Sequence, residues 1–220
     1  MKHIVVDLEM NKVTDAEARR ISGYEIIEIG AVMLDDNLSE ISSFRTYVKP
    51  QYSERIAPKI RRLTGITDEM VENAPVFDTA FKMFTTWCIG TGDEFVIHAW
   101  STTDYGQISK EMTLKQYIPS ESEKCVTDVE WDDFQEKFDR HLGFDRQLSL
   151  STALDMAGLD FSGRAHDALD DARNTAELLN VFSDTELFNK TLKKIEEVMK
   201  PTSIDYSIGS IFDFSSICFE

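Results

Sequence analysis

The 220-residue sequence is 42% hydrophobic and 10% aromatic, enough apolar material for a packed α/β domain. It has no apolar run near the roughly 20 residues of a bilayer span, and Asp7 interrupts the start where a secretory leader would stay apolar. A cytoplasmic protein without membrane contact is expected. The formal net charge of −17 argues against a long footprint on nucleic acid, which needs cations to neutralise phosphates. It is compatible with a short grip assisted by divalent cations. Cys88, Cys125 and Cys218 form no C-x-x-C pair, so reduced thiols and no zinc are expected.

In chain order, His3 to Leu8 is a β-branched run of strand length, and the polar stretch after Met10 to Arg20 reads as a loop. A second strand over 24–34 stops at Asp35-Asp36-Asn37, and a third over 39–48 ends before Lys49-Pro50. Their tight connections imply an antiparallel start to a sheet. Thr67 is placed to cap a short helix with Asp68 and Glu69 in its first turn. Phe77, Ala80, Phe81 and Phe84 recur at helical spacing, which predicts a helix over 77–88 ended by Gly90 and Gly92. A buried strand over 94–99 and a helix over 103–117 follow. Beyond a polar stretch at 119–127, helices are expected near 130–141, 149–157, 167–181 and 184–199, with Pro201 closing the series. Residues 1–200 read as one domain and 201–220 as a tail of unassigned role. Strands first, then strands alternating with helices, suit an α/β fold: a mixed sheet of about five strands, the first three antiparallel, covered by helices.

Four places carry chemistry. Asp7 and Glu9, at i and i+2 of a strand, point to the same side. Two adjacent carboxylates leaving an apolar strand are either solvated charges or a divalent-cation site, since unpaired they repel each other and resist desolvation. Asp104 follows the 94–99 strand and opens a helix, as an N-cap or as a ligand at the sheet edge. In the 167–181 helix, Ala168, Ala172, Thr175, Leu178, Leu179 and Phe182 form one apolar stripe. Asp171 lies on the edge of that stripe, where it needs a partner, either a cation or an arginine; Asp170 points about 100° away, as a solvated charge would. Asp167 suits the first-turn dipole. His166, in the preceding loop, is a surface histidine or a general base, being of the type that titrates near neutral pH. His98, at a strand end beside Trp100, reads as structural. Lys59, Arg61 and Arg62 form a dense basic cluster, either a solvated turn or a steering patch for phosphates.

Together, strand-D-x-E, strand-x-W-x-x-x-D-helix and H-x-A-x-x-D-A-helix resemble the DEDDh exonucleases, with no substitution at Asp7, Glu9, Asp104, His166 or Asp171. Leu63 to Thr67, Val71 to Pro75 and Leu150 to Gly163 resemble further segments of that family, closest to its branch of small RNA-trimming enzymes. The resemblance spans roughly residues 3–182 and implies a ribonuclease-H-like fold and 3′→5′ exonuclease activity. It implies two divalent cations, Mg²⁺ or Mn²⁺, with Asp7 bridging them, Glu9 and Asp171 completing one site and Asp104 holding the other. His166 would take the proton of the attacking water. The substrate would be the 3′ end of single-stranded RNA, contacted by Leu8, Met10, Thr64, Gly65 and Ile66, although Leu8 equally suits plain core packing. A DNA-directed enzyme of proofreading type is the alternative, followed by a catalytically idle binding module of the same fold.

Overall fold

A computed structural model describes residues 1–129, 131–145 and 147–198. The strands are β1 (Lys2–Lys12), β2 (Tyr24–Leu34), β3 (Glu40–Tyr47), β4 (Phe95–Ala99) and the two-residue β5 (Asp132–Asp133), in the order β3-β2-β1-β4-β5. The first three pair antiparallel, and β4 and β5 add in parallel. This is the mixed sheet expected, with one strand longer than its apolar run. β1 continues to Lys12 because Asn11 is buried, pairs with Glu25, and exchanges side-chain bonds with Arg55 O (3.1 Å) and Ala57 N (2.9 Å). The stretch expected to be a loop is thus partly strand, and Ala18–Arg20 forms a 3-10 turn.

The pleat of β1 sorts its residues. Ile4, Val6 and Leu8 enter a core shared with α3 (Phe77–Ile89) and α4 (Thr102–Leu114), through Phe77, Phe81, Phe84 and Ile108. Val5 faces the opposite side, where Val32 and Leu34 pack with α6 (Phe134–Leu142), α7 (Leu150–Ala157), α8 (Ala168–Ser183) and Phe188 of α9 (Thr185–Val198). Asp7 and Glu9 continue the row of Val5.

The basic cluster sits on a helix rather than in a turn. Pro58 opens α1 (Pro58–Thr64) at a position that suits proline, and Gly65, at φ 74°, closes it in the left-handed conformation that glycine adopts freely. Thr67 stands at the N-cap of α2 (Asp68–Glu72), but its side chain makes no capping bond. A further short helix, α5 (Lys124–Thr127), lies in the polar stretch at 119–127, for which no element is expected from the sequence. Cys88 and Cys125 are free thiols; Cys218 and the expected tail lie outside the described residues. Among the described residues no helix is long and apolar enough to cross a membrane.

Candidate active site

β1 and β4 pair only as far as Val6 and Ala99. Beyond that point β1 runs on past the carboxyl end of its parallel neighbour, the place where α/β sheets commonly receive ligands. The backbone N–H of Leu8, left without a β4 partner, donates to Asp104 Oδ1 at 3.2 Å. The cap of α4 is Ser101, which accepts from Thr103 N–H. Asp104 is therefore not the N-cap; it is buried within the first turn.

The other face is built by α8. Asp7 lies in register with Gly30 of β2, and a Cβ on Gly30 would stand 2.2 Å from the carbonyl carbon of Ala168. Only glycine lets the first turn of α8 rest directly on that strand. One carboxylate oxygen each of Glu9 and Asp171 and one ring nitrogen of His166 then lie within 4.8 Å of one another. Asp171 also accepts the backbone N–H of His166 at 3.1 Å, anchoring an exposed residue whose φ of 64° is uncommon outside glycine. Asp170 is not the solvated charge its helix face suggests: it accepts Arg164 N–H at 2.8 Å and is half-buried. Asp167 is the N-cap of α8, accepting from Asp170 N–H.

The electrostatics are those of an uncompensated acid cluster. Burial first, then the charges of Asp104, Asp171, Glu9 and Glu28, push the Asp7 carboxyl well above its ordinary range. Burial, then Asp171 and Glu28, push Glu9 up to about 8. Burial lifts Asp104 to about 7 against the pull of Leu8 N–H. It lifts Asp171 to about 6 against His166 N–H, with Asp167, Asp170 and Glu28 adding to the rise.

A family model described as Exonuclease, of the RNase T type, matches residues 4–179. The chain belongs to this exonuclease family. Among its relatives, 3′-5′ exoribonuclease 1 of Rattus norvegicus is 28% identical over 164 residues, 70% of this chain and 46% of that protein. ERI1 exoribonuclease 2 of Mus musculus is 32% identical over 199 residues, 80% of this chain and 27% of that protein. The chain thus spans less than half the length of these two curated relatives. The nuclease domain of 3′hExo, a DEDDh family member solved bound to rAMP, matches with a TM-score of 0.72 at 22% identity, covering 84% of this chain and 92% of that one. The fold is accordingly ribonuclease-H-like.

The donor set of this family member fits divalent cations. Among the described residues no lysine or arginine pairs with Asp7, Glu9, Asp104 or Asp171, and hard carboxylate oxygens are what such ions prefer. Of the other candidates, Thr64 and Ile66 are buried. Gly65 lies against the Arg164 guanidinium, whose Nη2 donates to Leu63 O at 3.3 Å, so the end of α1 abuts the His166 loop. Arg61 and Arg62 are exposed in the last turn of α1. Leu8 packs in the core, with Met10 partly buried against it. His98 is bonded to His3 and Asp132. Sequence reasoning missed Glu28 and Arg45. Glu28, an acid inside an apolar strand, was a visible signal; its position opposite Glu9 depends on the register.

Proposed function

We propose that this exonuclease removes nucleotides one at a time from the 3′ end of single-stranded RNA, releasing nucleoside 5′-monophosphates. The observation that carries the reading is the convergence of Asp7, Glu9, Asp104 and Asp171 from three separate elements, beside His166 and with no protein cation paired to them among the described residues. These four carboxylates would hold two divalent cations, Mg²⁺ or Mn²⁺. Such ions, when bound, polarise the attacking water and neutralise charge on the phosphoryl group. His166 accepts the proton of that water as its oxygen bonds to the terminal phosphorus. The bond to the 3′-oxygen of the preceding nucleotide breaks, and that oxygen takes a proton from solvent. Leu8, Met10, Thr64, Gly65 and Ile66 are assigned to the terminal nucleotide, and Arg61 and Arg62 to phosphates upstream. RNA is preferred to DNA on the names of the two exoribonuclease relatives. Residues 1–200 are read as the single domain that does this work, in the cytoplasm.

The test uses 5′-labelled single-stranded RNA and DNA of one sequence with Mg²⁺, Mn²⁺ or EDTA. A ladder of shortened RNA is expected with metal, none with EDTA, and none from Asp7→Asn or Asp171→Asn. Activity that survives both substitutions overturns the reading, and faster loss of the DNA moves the substrate to DNA.

A further inference from the structure

Two rows of residues run across the sheet beneath the first turn of α8. Asp7 pairs with Gly30 and Gly30 with Arg45; Glu9 pairs with Glu28 and Glu28 with Tyr47. The first turn of α8 fills the space that the glycine leaves, and charged groups beside it hold that turn in place. Arg45 Nε donates to Glu28 Oε1 at 2.7 Å, and its Nη2 donates to Asp167 Oδ2 at 2.6 Å and to the Tyr47 hydroxyl at 3.0 Å. Glu28 is 1% exposed, and its other oxygen accepts the backbone N–H of Ala168 at 3.4 Å. Asp167 turns its second oxygen to Asp170 N–H as the helix cap. One planar guanidinium thus ties together a strand carboxylate that holds the first amide of α8 and the side chain that caps it. A lysine, with a single nitrogen, cannot reproduce that fork.

We propose that Arg45 is a positioning residue of the active site: through Glu28 and Asp167 it fixes the first turn of α8 on β2, and so sets where Asp171 and His166 stand relative to Asp7 and Glu9. The proposal rests on the exonuclease reading above. Arg45 touches none of the four carboxylates assigned to the cations; it acts through the groups that orient them, a role that outer partners of metal ligands commonly play. A second arginine provides an internal control. Arg173 also ties α8 to β3, through Glu40 at 3.0 and 3.2 Å, from a position two residues past Asp171 and so about 200° round the helix from it.

The experiment compares wild type, Arg45→Met, Arg45→Lys, Arg173→Met and Asp7→Asn in the full chain. Mn²⁺ binding is measured by titration calorimetry, kcat and KM on single-stranded RNA, and folding by circular dichroism. Arg45→Met is expected to weaken Mn²⁺ binding by roughly 10- to 100-fold and to lower kcat with little change in KM. Arg45→Lys should recover part of both, and Arg173→Met should match wild type. If Arg45→Met folds poorly, Arg45→Lys carries the test, with a smaller loss in the same two quantities. Wild-type Mn²⁺ affinity and kcat in the folded Arg45 variants, or equal losses in Arg173→Met, overturn the proposal. Activity retained by Asp7→Asn instead overturns the exonuclease reading, whatever Arg45 does.

Discussion

Two clusters of buried acids sit on the same sheet, and they are built in opposite ways. At the start of β2, Glu25 and Glu111 are fully buried around Lys115, whose Nζ lies 2.7 Å from Glu111 and 3.5 Å from Glu25, over the ring of Phe77. Backbone amides of Ile26, Gln51 and Tyr52 and the hydroxyl of Ser53 satisfy the remaining oxygens. Burial still lifts the Glu111 carboxyl, with Lys115 and the Ile26 amide pulling against it. The second cluster lies across the sheet from the next stretch of β2, where Glu9 stands opposite Glu28. There Asp104 and Asp171 each have one amide donor, and no lysine or arginine pairs with any of the four acids among the described residues. An acid that serves the fold brings its counter-charge with it. An acid that serves a site leaves the charge for a ligand, which is why perturbed carboxylates in a cleft point to function.

Three substitutions probe that contrast. The largest effect belongs to the open cluster. His166→Asn keeps a residue type that tolerates left-handed backbone and removes the imidazole, so kcat on labelled RNA should fall by about 10²–10⁴-fold with Mn²⁺ affinity kept. A matching loss of Mn²⁺ affinity would make His166 a ligand rather than a base. Next, Lys115→Met would turn the closed cluster into a second open one. Removing one partner of a buried pair costs about 3–5 kcal/mol, to be read in urea unfolding, while the folded fraction keeps its kcat. Unchanged stability would mean that the two clusters do not differ as described. Gly30→Ala is smaller: its methyl group meets the Ala168 backbone, and overpacking of this kind costs about 1–3 kcal/mol. Because it lifts the first turn of α8, kcat should fall by more than the loss of folded protein explains.

The difference between the clusters was only half legible in the sequence. Strand alternation and the helical wheel are local, so the shared face of Asp7 and Glu9 and the buried edge under Asp171 could be read without knowledge of the fold; the family resemblance singled these residues out as candidate ligands. Asp104 was ambiguous until Ser101 took the cap, a choice decided by a single backbone geometry. Glu28 and Arg45 could not be assigned, because their roles depend on the β1–β2 and β2–β3 registers, and β1 carries an irregularity between Glu9 and Met10. The same holds for Lys115, which reads as an ordinary surface lysine until Glu25 arrives from a distant strand. For α1 the markers were present, proline at its start and a glycine after its end, but its seven residues held too few apolar positions to show a period.

A change of pH is the most direct test of which acids lack a counter-charge. In the metal-free fold the Glu9 carboxyl is pushed up to about 8 from its ordinary 4.5. The folded state therefore holds this proton more tightly than the unfolded chain does. Its stabilising contribution is full below the ordinary carboxylate range and is lost as pH rises through about 8. Asp104, at about 7, and Asp171, at about 6, act in the same direction. In EDTA the wild type should therefore lose stability between about pH 5 and pH 8. Glu9→Gln cannot ionise, so at the upper end it should melt above wild type, by roughly 2–4 °C for each kcal/mol recovered in a chain of this size. At the lower end the gap should narrow. Added Mg²⁺ should reverse the order, since the ion stabilises only the state that binds it and the neutral amide of the variant offers no charge to hold it. A metal-free Glu9→Gln that melts below wild type at the upper pH would mean that Glu9 has a counter-charge within the fold, as Glu25 has in Lys115, and the contrast between the clusters would not hold.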